Sequence, residues 1–107
     1  MTIISILYPN KQGSRFDLDY YLHVHMPMSL ERLSTAPGFQ GVSVEHGLSA
    51  GVPDSQPAFI ALCHFRFDTV ESFLAAFTPH AELLQGDIAN YTDVYPIIQV
   101  SEVKIAR

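Results

Sequence analysis

Ala58-Phe59-Ile60-Ala61-Leu62-Cys63-His64-Phe65-Arg66-Phe67 is substantially apolar along both of the rows that a strand presents. Side chains alternate across a strand, so Phe59, Ala61, Cys63, Phe65 and Phe67 oppose Ala58, Ile60, Leu62, His64 and Arg66. A strand of this kind belongs inside a sheet that is covered on both faces. Asp68 and Glu71 follow as a capping box, and Val70, Phe73, Leu74 and Phe77 supply the core face of a helix. Thr78-Pro79 then caps a restarted helix carrying His80 to Leu84, with Gly86-Asp87 as its exit.

Working outward, the polar, glycine-rich connection from Gly47 to Pro57 joins this strand to an earlier one over Gln40 to His46. Ile3 to Tyr8 has the β-branched content of a first strand, and Val94 to Ile105 reads as a long last one. Between the first two strands lies a helix that Asp17 caps, with Phe16 and Tyr21 as a hydrophobic staple and Pro37-Gly38 beyond its end. Pro27 interrupts it by removing a backbone donor, so its last turns are either kinked or a second start. The order βαββαβ predicts an α+β, ferredoxin-like fold with an antiparallel four-stranded sheet, one domain over residues 1–107. On the first strand Ile4, Ile6 and Tyr8 oppose Ile3 and Leu7, repeating the two-sided apolarity of the third. The surplus predicts a homodimer in which two sheets pair face to face.

Composition narrows the function classes. Six basic against eleven acidic side chains give a formal charge of −5, which disfavours nucleic acid or an anionic membrane as partner. No apolar run approaches the roughly 20 residues of a membrane span, and no leader or lipidation motif is visible. The sole cysteine, Cys63, allows no internal disulfide and reads as an inert buried thiol, so a cytoplasmic, reducing setting is expected.

In the first helix Leu18, Tyr21, Leu22, His25, Ser29 and Leu33 share one sector, with His25 near its centre and His23 pointing away. A buried imidazole needs a partner, a ligand or a reaction, and near neutral pH it serves as either acid or base. His25 is therefore either a hydrogen-bonded structural residue or the leading acid–base candidate. Asp93 is a candidate to orient it, and Tyr91 and Tyr95 are candidate donors to a carbonyl or oxyanion. They share a side with Asp93 only if the last strand begins before it; otherwise Asp93 belongs to a turn and the tyrosines to packing. Tyr21, Phe59, Phe65 and His80 are candidate substrate-contacting residues, the last at a pocket mouth or on the surface. His23-Val24-His25 lacks the His-Glu-x-x-His pattern, no glycine and lysine set forms a phosphate loop, and no Ser-His-Asp or Cys-His signature is present. No metal and no cofactor are expected.

The segment from Phe16 to Tyr21 followed by His25-Met26-Pro27 resembles the EthD family, as does Asn90 to Gln99 on the approach to the last strand. The resemblance covers nearly the whole chain. It implies a dimeric α/β barrel with helices outside and a pocket between helices and sheet, and marks His25 as the leading functional position. Relatives of that superfamily include cofactor-independent monooxygenases, lactone isomerases, aromatic cyclases, dehydratases, decarboxylases and haem-related proteins. The expected function is cofactor-independent acid–base catalysis on a small aromatic, lactone or polyketide-like carbonyl compound. The alternatives are a non-enzymatic ligand-binding or accessory dimer, a cofactor-independent monooxygenase and a haem-binding protein.

Overall fold

The computed structural model describes every residue from Met1 to Arg107. Strands β1 (Thr2–Pro9), β2 (Phe39–His46), β3 (Phe59–Phe67) and β4 (Ile97–Glu102) form one antiparallel sheet of order β2-β3-β1-β4. The register sets Ile4 opposite Phe65 and Ile6 opposite Cys63, so the rows predicted from alternation lie side by side. β4 is shorter than the expected Val94 to Ile105. Its pairing partner β1 runs out where Thr2 faces Glu102, and Pro96 lacks the N–H that a ladder needs.

One face of the sheet carries two helical arms. The first runs through α1 (Leu18–Tyr20), a π-helical turn (Tyr21–His25) and α2 (Met26–Leu33). The second comprises α3 (Val70–Phe77), a 3₁₀ turn (Thr78–His80) and α4 (Ala81–Gly86), then a 3₁₀ turn over Ile88–Asn90. The cap of α3 is Thr69 rather than the predicted Asp68 and Glu71 box, because the Asp68 N–H is still bound to the Gly38 carbonyl. Thr69 Oγ1 accepts from the Ser72 N–H at 3.1 Å. Between arms and sheet, Ile4, Tyr8, Cys63, Phe65 and Phe67 meet Tyr21, Met26, Leu33, Phe73 and Leu84. Phe67 and Phe73 pack edge to face at 5.4 Å, and each such buried ring contributes about 1.5–3 kcal/mol.

The other face is open. The molecule is 19 Å through its shortest axis, the depth of one sheet and one helical layer. Leu7, Leu62 and Ile97 make an apolar row there, but the next row is polar. Ser5 Oγ lies 2.9 Å from His64 Nδ1, and His64 Nε2 lies 3.4 Å from Glu45. No helix is long and apolar enough to cross a membrane.

Candidate functional site

The π-helical turn aims the site. The Met26 N–H reaches back to the Tyr21 carbonyl, five residues away, and Pro27 then offers no N–H to the turn below it. The widened turn puts Tyr21, His25, Met26, Ser29 and Leu33 on the buried side. Leu22, expected in the apolar sector, is instead 38% exposed, and Met26 takes the inward place. Ser29 Oγ donates to the His25 carbonyl at 3.0 Å, using the widened backbone.

The second arm supplies the partner. As α4 ends, the Asp87 N–H bonds the Leu83 carbonyl, and the carboxylate meets the first arm. Asp87 Oδ2 lies 2.9 Å from His25 Nδ1, while Oδ1 accepts from the Tyr20 hydroxyl at 2.6 Å and from the Asn90 amide at 3.0 Å. Burial works to raise the Asp87 carboxyl, but the hydrogen bonds from Tyr20, Asn90 and His25 outweigh it and hold it below the usual carboxylate range. An ionised carboxylate only accepts, so Nδ1 carries the imidazole proton and the Nε2 lone pair is left free. Burial lowers the His25 pKa more than Asp87 raises it, and the ring is neutral at pH 7.

The ring is clamped between phenols. Tyr21 stacks on it at 5.8 Å and Tyr91 tilts against it at 4.7 Å. The Tyr91 and Tyr8 hydroxyls are 2.6 Å apart, and burial pushes Tyr8 up to about 12 and Tyr91 further in the same direction. These phenols therefore act as neutral groups. Burial also pushes the Cys63 thiol up to about 12, which suits an inert sulfur.

His25 Nε2 has no protein partner, yet it is not a sealed, unsatisfied atom. His25 borders a cavity of about 590 Å³ between sheet and helices, walled by Ile6, Phe65, Phe77, Ile98 and Tyr95 among others. That is the size and character of a small-ligand site.

The sequence candidates divide. His25, Tyr21, Phe65, Asp93 and Tyr95 line the cavity. Tyr91 backs the imidazole through its ring contact. Asp93 does not orient His25; its carboxylate accepts the Arg15 backbone N–H at 2.9 Å in an exposed turn. Since β4 begins only at Ile97, Tyr91 is buried while Tyr95 is 89% exposed, so the two do not share a strand face. Phe59 pairs with Pro9 at a register shift and lies outside the cavity. His80 lies in a separate shallow depression beside Arg32 and Pro79. Asp87, Tyr20 and Asn90 escaped the sequence reading. One signal was present: an acidic residue at a helix C-terminus opposes the helix dipole, so Asp87 needed another reason to be there.

Sheet order and helical arms define a ferredoxin-like α+β protein, with an apolar cavity between sheet and helices. An EthD-like protein from Ralstonia eutropha JMP134 is 42% identical, over 99% of this chain and 94% of that one, with a TM-score of 0.90. The chain belongs to the EthD family. An ethyl tert-butyl ether D (EthD) family protein from Bacillus halodurans C-125 shares the fold at 19% identity, over 96% and 98% of the two chains, with a TM-score of 0.69. So does SnoaB, a cofactor-independent oxygenase from Streptomyces nogalater, at 12% identity, over 98% and 93%, with a TM-score of 0.52. No family model matches the chain, and no curated protein does.

Proposed function

We propose that this protein binds a small aromatic, lactone or polyketide-like carbonyl compound in the cavity and moves a proton on it. His25 is the acid and base, and Asp87 is its positioning residue. The observation that carries this reading is the free Nε2 of a neutral, Asp87-held imidazole on the wall of an apolar cavity.

In this mechanism Nε2 takes a proton from the carbon next to the carbonyl. The C–H electrons pass to the carbonyl oxygen, and the imidazolium that forms pairs with Asp87. Returning the proton to a different atom is isomerisation; loss of a β-hydroxyl, which leaves as water with the imidazolium proton, is dehydration, and attack by the carbanion on a second carbonyl closes a ring. Decarboxylation starts instead with loss of CO2, whose C–C electron pair passes to the carbonyl oxygen, and the resulting enolate then takes a proton at carbon. Tyr95 donates to the developing oxyanion, Tyr21 and Phe65 flank the ligand's ring, and Asp93 stands at the rim. The mechanism draws on no cofactor or metal.

A screen of carbonyl and aromatic metabolites for saturable turnover, with chelated and oxygen-free arms, tests the proposal. His25→Gln should lower kcat by about 10²–10⁴ while leaving fold and assembly unchanged. Undiminished turnover would sink the role of His25, and binding without reaction would favour an accessory, ligand-carrying protein. Loss of turnover only in the oxygen-free arm would move the chemistry to oxygenation. Two copies are proposed to pair through the open sheet face.

A further inference from the structure

The cavity is left unfinished where β4 begins. Ile98 faces it from the same side of the sheet as Ile6, yet is 56% exposed, and Tyr95 borders it while almost wholly in solvent. A second apolar surplus lies in the loop after β2, where Leu48 is 85% and Val52 60% exposed. This loop is held by its own hydrogen bonds. The Ala50 N–H donates to Ser55 Oγ at 2.9 Å, Ser55 Oγ donates to the Val52 carbonyl at 2.6 Å, and the Gly47 N–H holds the Ile60 carbonyl. It presents its apolar side chains on a built frame with nothing in its own chain to cover them.

The open face says how a second copy brings these surfaces together. In register, one layer holds Leu7, Leu62, Glu45 and Ile97, the next Ser5, His64, Ser43 and Gln99, the last Ile3, Arg66, Gly41 and Ser101. A two-fold axis along the strands sets each layer on its own copy, so that Leu7 meets Leu62 and Ser5 meets His64 of the opposite sheet. An axis across the strands would set Leu62 against the layer of Arg66. The first arrangement also brings β4 beside the partner's β2, running antiparallel; these are the two strands whose outer edges are unpaired. The end of the partner's β2 then arrives at the start of β4, where the cavity opens.

Area argues the same way. Four strands about 4.8 Å apart and about eight residues long project a flat area of roughly 500 Å², a modest base for an interface that typically buries roughly 800 Å² of accessible surface per partner. Contacts beyond the flat face would enlarge it.

We propose that the loop between β2 and β3 of a second copy, carrying Leu48 and Val52, seats against Tyr95 and Ile98 and closes the mouth of the cavity. Each site is then shared between two subunits. The proposal rests on the face-to-face pairing put forward above, and its test is independent of turnover.

A Val52→Cys/Tyr95→Cys chain, and separately a Leu48→Cys/Tyr95→Cys chain, would be treated with a short bismaleimide. Sedimentation velocity before treatment reports assembly. Cys63 is buried and adds no background. The expected result is a covalent dimer from either double variant and none from the three single variants. Dimers in sedimentation that fail to cross-link in both double variants would overturn the lid and leave the pairing intact. Monomers would overturn both, and cross-linking of single variants would also count against the lid. None of these results bears on proton transfer by His25.

Discussion

At His25, burial and Asp87 act on the imidazole in opposite directions, and burial is the larger. The folded pKa therefore lies below the ordinary 6.5, and the sign of two effects follows. Turnover that needs the free Nε2 should be flat at neutral pH and fall as pH drops through a midpoint below 6.5. Below 6.5 the unfolded chain also binds more protons at this position than the folded one, so stability falls with pH in the same window. Asp87, held below its ordinary value, adds stability above that value that is lost as pH falls through its folded pKa. Nitrogen-15 NMR of the imidazole should find the Nδ1–H tautomer and a midpoint below 6.5, moving lower still in Asp87→Asn. A midpoint above 6.5 would mean that the carboxylate outweighs burial and that the ring is charged where the mechanism needs it neutral. His25 was legible from spacing alone, because an inward position on a helix is a local property. Its partner was not: Asp87 is 62 residues along the chain, and only the packing of two separate arms brings the pair together.

Among the elements, strands were the most legible, since a two-residue period survives tertiary packing and each observed strand overlaps its predicted span. Errors came where a neighbour sets the outcome. The length of β4 is limited by β1, the cap of α3 by the bond that the Asp68 N–H donates to the Gly38 carbonyl, and the exposure of Leu22 by a turn wider than the 3.6-residue period assumes. Gly38 also gives a test of how the first arm is joined to the sheet. It has φ +89°, and a side chain there would run into the Asp68 carboxylate and Ser72. Gly38→Ala should cost about 1–3 kcal/mol, visible as a thermal midpoint several degrees lower. An unchanged midpoint would show that this turn yields more readily than its close contacts imply.

For the whole molecule, the open face is where the proposed pairing of two copies is to be tested. Leu62 lies in its apolar row, away from the cavity, and Leu62→Asp should convert a sedimenting dimer to monomer while the far-ultraviolet spectrum stays unchanged. A dimer that survives the substitution would place the contact elsewhere. Pairing of sheets was suggested by two-sided strands in the sequence, whereas the polar row through Ser5 and His64 needed the register to be seen. The arrangement of aromatic side chains has a practical consequence as well. The chain has five tyrosines and no tryptophan, and four of the five, Tyr8, Tyr20, Tyr21 and Tyr91, gather around His25 and Asp87 while Tyr95 stands at the cavity mouth. Its tyrosine emission thus originates beside the candidate site, and a ligand bound there as proposed should change the emission of the unlabelled protein.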